Sequence, residues 1–408
     1  MPIDRLDTVL RAHLTSLEDA GTAKGAESVV VAVRPAEGER GPRFLLAGEG
    51  DKEFIRMNSN SYLGMGLRPE IIRAEEEATR AFGAGPGAVR FISGTYEAHV
   101  ELERELAAFH GRQAAMIFSS AYATVVSTIT PLVSPETVVV SDELNHNCII
   151  NAMRLARPVG KAVYRHNDTA ALAAALDEWK GKAKRALVVT DGIFSMRGDH
   201  APLAEIMEIC ARHDHAYPEN VVCVVDDSHG VGAFGATGRG TEEYTGSAPA
   251  DVLVGTLGKA FGVNGGYVAA NATMIRFLRE SSQMYIYSNP ITVGEAAAAL
   301  ASVRLVAGAG GRRLLDCLRS LTKRFEDGLG RIGIETIPGE HPVVPLMIRD
   351  TARTSDLVRY LREHGVLVTG LTYPVVPKGD EEIRTQINAD HTESDIDHVL
   401  GLLEAYQA

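Results

Sequence analysis

The chain has 408 residues, with 41 Lys and Arg against 53 Asp and Glu for a net charge of −12, and 45% of its residues are hydrophobic. That length predicts two or three domain-sized units, and the composition suits a buried core, which excludes a small stapled module and a disordered chain. An acidic surface repels phosphate backbones and anionic lipid, so neither nucleic acid nor membrane is expected as a partner.

Residues Asp4 to Ala23 carry Leu6, Val9, Leu10, Leu14 and Leu17 at helical spacing. The polar turn Ala36–Pro42 between two apolar runs predicts a peripheral hairpin. Neither the start at Met1-Pro2 nor any later stretch reads as a signal peptide or a span of ~18 apolar residues, so a soluble, cytoplasmic protein is expected. The four cysteines, Cys148, Cys210, Cys223 and Cys317, lie too far apart for a zinc module or a disulfide framework.

From Asn58 to about Asn289, short apolar runs alternate with helix-like stretches. The runs are Ala114–Phe118, Thr137–Val140, Ala186–Val189, Val221–Val225, Val252–Val254 and Tyr267–Ala270. Continuous apolar strands between helices predict a mainly parallel sheet covered on both faces. Ligands collect at the carboxyl ends of such strands, which directs attention to Ser141-Asp142, Thr190-Asp191, Asp226-Asp227 and Thr256. Beyond residue 290, Val293–Leu305 and Leu314–Leu329 read as helices, and Val343–Ile348 and Val366–Val368 as strands. The pattern Thr392-Glu393-Ser394-Asp395 caps a last helix. The expected organisation is an N-terminal arm over residues 1–57, a large domain over 58–290 and a small α/β domain over 291–408.

Gly83-Ala84-Gly85-Pro86-Gly87-Ala88 matches a loose dinucleotide pattern, but Glu70–Phe82 before it reads as a helix where that motif needs a strand. His213-Asp214-His215 sits at a helix end beside a turn and is read as a solvated loop, so no metal is expected. Two motifs carry chemistry. Thr256-Leu257-Gly258-Lys259-Ala260-Phe261-Gly262 sets a lysine among small residues just past an apolar strand, where desolvation lowers an amine's pKa and favours Schiff-base chemistry. Asp226-Asp227-Ser228-His229-Gly230 ends another apolar strand in a carboxylate, suited to keeping a pyridine nitrogen protonated, with a histidine three residues on.

These residues resemble the α-oxoamine synthases, pyridoxal-phosphate enzymes of aspartate-aminotransferase fold type I, from about Asn58 to the C-terminus. The likeness to glycine C-acetyltransferase rests on Val89–Thr95, Ser141–His146, Asp191–Met196, Asp226–Gly232, Gly255–Ala260 and Tyr373–Gly379 with Ile383–Gln386. The loop Phe261–Gly265 is more similar to that of 8-amino-7-oxononanoate synthases. The resemblance implies that Lys259 holds pyridoxal phosphate as a Schiff base and that Asp226 pairs with its ring nitrogen. It further implies that His229 and Ser195 lie near the phenolic oxygen and that His146 stacks on the ring. The amides of Ala121 and Tyr122, with Thr256, would hold the phosphate, and Ser288-Asn289 would reach the cofactor of a second subunit in a homodimer. Asn60 and Arg384 would bind the amino acid, Arg384 through its carboxylate; without the resemblance, Arg384 reads as a surface ion pair with Glu381 or Glu382.

The expected activity is condensation of glycine with acetyl-CoA or a short acyl-CoA, and the reverse. A decarboxylating synthase using another small amino acid and a longer acyl-CoA is the alternative. An aminotransferase and a non-catalytic homologue are further readings, the last disfavoured by Lys259, Asp226 and His229 occurring together.

Overall fold

All six apolar runs become strands of one seven-stranded sheet in the computed structural model, which describes residues 3–373 and 375–407. Met1 and Pro2 of the leader reading, and Pro374 of the Tyr373–Gly379 motif, lie outside the described residues. Ahead of the sheet come β1 (Val30–Arg34), β2 (Arg43–Leu46) and β3 (Ile55–Arg56). The sheet itself contains β4 (Ala114–Phe118), β5 (Thr137–Asp142), β6 (Gly160–Tyr164), β7 (Arg185–Asp191), β8 (Val221–Asp226), β9 (Val252–Thr256) and β10 (Gly266–Ala270), in the order β4-β10-β9-β8-β7-β5-β6. Strands β6, β5, β7, β8 and β9 run parallel, whereas β10 is antiparallel to both β9 and β4. The reason lies in the connection: only residues 257–265 join β9 to β10, too few for the crossover of a dozen or more that a parallel neighbour needs. The sheet is mainly parallel, as expected, and its direction reverses only after the loop that carries Lys259. Strand β6 escaped the sequence reading because it is an edge strand whose burial alternates, so it has no continuous apolar run.

The small domain contributes β11 (Val343–Met347), β12 (Val366–Leu367), β13 (Thr369–Leu371) and β14 (Glu382–Gln386), with β14 between β11 and β13. Its last helix, Glu393–Gln407, has the expected cap: the Asp395 amide donates to Thr392 Oγ1 at 3.1 Å and the Thr392 amide to Asp395 Oδ2 at 3.0 Å. One apolar core containing Leu102, Phe261, Val303, Leu318 and Ile396 runs continuously past residue 290.

The predicted N-terminal hairpin forms as β1 paired with β2. The segment 34–50, which the resemblance leaves unexplained, leans on the small domain: the Gly41 amide donates to Asp395 Oδ2 at 3.0 Å and Arg362 donates to Glu49 Oε1 at 2.9 Å. Strand β3 extends the same contact by pairing in parallel with β12. The first helix ends at Asp19, four residues short of the predicted end, and its Leu6, Val9, Leu10 and Leu14 are all exposed. Among the described residues no single helix is long and apolar enough to cross a membrane.

Candidate active site

The carboxyl ends of β7, β8 and β9 form the floor of a cleft lined by Ala121, Tyr122, His146, Asp191, Asp226 and Lys259, together with Cys148, Ile193, Ser195, Ser228 and His229. Strand register places Asp191 directly beside Asp226. Asp226 Oδ1 accepts from the Ser228 amide at 3.1 Å and the Ser228 hydroxyl at 2.5 Å. The Cys148 thiol lies 3.7 Å from its Oδ2. Asp191 Oδ2 accepts from the His146 amide at 3.1 Å. Its Oδ1 is buried with no partner among the described residues, and burial together with the charge of Asp226 drives its pKa well up.

Lys259 sits in the tight β9–β10 loop, clamped by Leu257 N to Gly265 O at 3.0 Å and Gly262 N to Lys259 O at 2.9 Å. At Gly262, φ is +71° and a Cβ would fall 2.4 Å from the Gly66 amide, so only glycine closes the loop. Burial lowers the Lys259 amine to about 8, against the opposing pull of Asp226 and Asp191. About a tenth of the amine is therefore neutral and nucleophilic at pH 7, far more than for an ordinary lysine.

The glycines after Asp226 close around Asp227: a Cβ at Gly240, where φ is +94°, would stand 1.9 Å from Asp227 Oδ2. Asp227 in turn accepts from the amide and hydroxyl of Thr241, each at 2.7 Å, and secures the turn.

The second wall comes from the Asn58–Leu63 stretch and the small domain. Tyr62 Oη is 2.7 Å from His229 Nδ1 and 3.2 Å from Asn60 Oδ1, and Arg384 Nη2 donates to that same oxygen at 3.1 Å. With the Gln386 amide turned so that its nitrogen meets the Met57 carbonyl, Arg384 Nε and Nη1 donate to Gln386 Oε1 at 3.1 and 2.9 Å. The guanidinium is thus held by neutral acceptors. It forms no ion pair among the described residues, and Glu381 instead accepts from Thr351 and the Gly379 amide, so the surface-pair reading of Arg384 fails. His341, with no motif to mark it, is buried and donates from Nε2 to the His229 carbonyl at 2.9 Å, its tautomer fixed by the Val343 amide on Nδ1. Burial drives His229 well below the ordinary histidine range and His341 to about 3, so both rings are neutral.

Seven residues singled out from sequence, Ala121, Tyr122, His146, Ser195, Asp226, His229 and Lys259, share the cleft, and Asn60 and Arg384 join it through Tyr62. Thr256 ends β9, and its hydroxyl braces the lysine loop by accepting from the Gly258 amide at 3.1 Å. Ser288 and Asn289 do not border the cleft; they lie beyond the short helix Gln283–Ile286. Tyr62, Asp191, Cys148 and His341 were not assigned from sequence. Asp191 alone had a signal, as the polar end of an apolar run.

The floor fits pyridoxal phosphate: a carboxylate aligned by donors, a second buried carboxyl oxygen without a partner among the described residues, a part-buried lysine of lowered pKa, and a helix start at Ala121 whose first amides have no acceptor one turn back.

Comparison with known proteins agrees. The model for aminotransferase class I and II matches residues 52–403. The 8-amino-7-oxononanoate synthase of Exiguobacterium sibiricum is 37% identical over 392 residues, covering 96% of this chain and 95% of that protein. The synthase of the same name from Symbiobacterium thermophilum is 38% identical over 361 residues, 88% of this chain and 89% of that one. Among solved structures, Sphingomonas wittichii serine palmitoyltransferase superposes with a TM-score of 0.87 at 26% identity, covering 99% of this chain and 97% of that one. Serine palmitoyltransferase from S. paucimobilis with bound PLP-myriocin aldimine gives 0.86 at 27% identity, with the same coverage.

Fold and site together define a pyridoxal-phosphate-dependent transferase of fold type I. Within that class, the chain belongs to the α-oxoamine synthases of the class I and II aminotransferase family.

Proposed function

We propose that this protein is a decarboxylating α-oxoamine synthase, joining a small α-amino acid to an acyl thioester with release of free thiol and carbon dioxide. The observation that carries the reading is Arg384, a part-buried guanidinium whose hydrogen-bond partners are neutral, facing the lysine cleft, where a substrate carboxylate completes its charge. Glycine acetyl transfer gives way as the leading reading because the curated relatives reported above are 8-amino-7-oxononanoate synthases. Such a product is what an amino acid yields when its carboxyl is replaced by an acyl group.

Arg384 and Asn60 orient the amino acid. The Lys259 amine takes the Cα proton, its lowered pKa matching it to general-base work near neutrality. Bound pyridoxal phosphate supplies a protonated ring that accepts the electrons left on Cα, and Asp226 keeps that ring nitrogen protonated. His146, the N-cap of helix Asn147–Ala156, covers the ring, while His229 is steered by Tyr62 and His341. Ala121, Tyr122 and Thr256 would hold the phosphate, and Ser195 would serve the phenolic oxygen. The acyl carbon gains the Cα bond as the thioester C–S bond breaks, and the sulfur leaves with a proton; the Cα–carboxyl bond then breaks, releasing carbon dioxide, and Cα takes a proton in its place.

Ser288 and Asn289 serve the partner's cofactor in a homodimer, which also covers Phe91, Ile92 and Tyr287, exposed at 63%, 66% and 79%. Gel filtration showing a fully active monomer would contradict the shared site. An array of amino acids against acyl-CoA esters, read by thiol release and product mass, tests the reaction. Preference for glycine with acetyl-CoA restores the acetyltransferase, and turnover that needs a keto acid and consumes no CoA makes the protein an aminotransferase.

A further inference from the structure

Strand β14 sets Glu382 two residues before Arg384, and alternate residues of a strand face the same side. Its side chain therefore shares the face from which Arg384 reaches Asn60. Glu382 is 3% exposed, and its Oε1 has no hydrogen-bond partner among the described residues. It borders a cavity of about 260 Å³ whose other walls include the apolar Leu144, Phe194, Met196 and Met347 and the charged Arg197 and Asp380. Ser195 lines both this cavity and the lysine cleft, so the two adjoin.

The charged groups around Glu382 are Arg197, Arg384, Asp380 and Asp199. Arg197 is taken up by Asp199, to which its Nε donates at 3.0 Å, and Arg384 by Asn60 and Gln386. Burial raises Glu382 to about 7, which leaves it largely ionised at pH 8. A buried carboxyl oxygen without a partner is costly to keep, and in a largely apolar pocket whose other charges, Arg197 and Asp380, are of opposite sign, it admits some ligands and repels others.

We propose that this cavity receives the acyl chain of the thioester and that Glu382 sets its specificity, accepting an uncharged chain and rejecting one that ends in a carboxylate. The inference rests on the acyl-transfer reading above. It separates this chain from the relatives whose product, an oxononanoate, carries a terminal carboxylate. Two carboxylates a few ångströms apart in a partly dry pocket repel strongly enough to cost on the order of 10²-fold in binding.

The test compares octanoyl-CoA with its ω-carboxylated counterpart of equal length, suberyl-CoA, on the holoenzyme at pH 8 with the best amino acid. Wild type is expected to favour octanoyl-CoA by about 10²-fold in kcat/KM, with the difference in the thioester KM. Glu382→Gln and Glu382→Ala are expected to shrink that preference at least tenfold while leaving the amino-acid KM unchanged. Cofactor absorbance and unfolding midpoint confirm that each variant is folded. Equal use of the two esters by wild type overturns the proposal, and so does a preference that survives both substitutions. A changed amino-acid KM also overturns it, by showing that Glu382 only props Arg384. No thiol release from any acyl-CoA is a different outcome, which removes the acyl-transfer reading itself.

Discussion

The floor of the cleft and its small-domain wall treat most of their buried charge differently, the exception being Asp191 Oδ1 on the floor, which has no partner among the described residues. On the floor, Asp226 receives the amide and hydroxyl of Ser228, and Asp227 receives two donors from Thr241. On the wall, Arg384 is held by neutral groups and Glu382 has a bare carboxyl oxygen. The floor is built by strand ends and tight loops to hold one cofactor. The wall leaves hydrogen-bonding capacity open beside its charges, as selection among substrates requires, because a group already satisfied cannot discriminate.

The contrast predicts where substitutions bite. On the floor, Lys259→Ala should lower thiol release at least about 10³-fold, since general acid–base catalysis alone contributes ~10²–10⁴-fold. It should also abolish the absorbance of covalently held pyridoxal phosphate. A variant that keeps both would remove Lys259 from the chemistry.

At the edge between the two regions, His166 bridges Asp142 Oδ1 at 3.2 Å and Asp199 Oδ2 at 3.1 Å, with its ring against Phe194. Its burial opposes protonation, but hydrogen bonds and charge from the two carboxylates raise it to about 9. A raised histidine stabilises the fold fully below its unfolded pKa of ~6.5, and that contribution is lost as pH rises through 9. The loss amounts to at most about 3 kcal/mol. Urea unfolding at pH 6.5 and 9.5 should show a larger fall for wild type than for His166→Gln, and parallel falls would refute the linkage.

On the wall, Arg384→Lys should raise the amino-acid KM roughly 10- to 100-fold, because a point charge replaces a planar fork and loses charge-assisted bonds worth ~1.5–3 kcal/mol. A change in the thioester KM instead would place the amino acid elsewhere.

The smallest effect lies away from both regions. Thr292 and Glu295 form a capping box, with Glu295 N donating to Thr292 Oγ1 at 3.1 Å and Thr292 N to Glu295 Oε2 at 2.7 Å. Thr292→Ala should cost about 1 kcal/mol in urea unfolding with kinetics unchanged. Altered kinetics would mean that the site is sensitive to any loss of stability, and the contrast between floor and wall would lose its meaning.

The floor was legible in sequence and the wall largely was not, for a physical reason. Asp226 and Lys259 stand at the ends of continuous apolar runs, so hydrophobic patterning points straight at them. Tyr62, His341 and Glu382 act through contacts between segments far apart in the chain, such as His341 with the His229 carbonyl, which no local pattern encodes. The reversed β10 followed from loop length, a signal present in the sequence but outweighed by the apolar pattern. The glycines at 230 and 240 were visible, yet their object, Asp227, emerged only from the packing.

The central claim is tested most directly by supplying an amino acid labelled with ¹³C at its carboxyl carbon together with an acyl-CoA and measuring labelled carbon dioxide against free CoA over the first turnovers. The account predicts that the two appear together in equal amounts, and only when both substrates are present. Free CoA without labelled carbon dioxide, or labelled carbon dioxide without an acyl thioester, would contradict it.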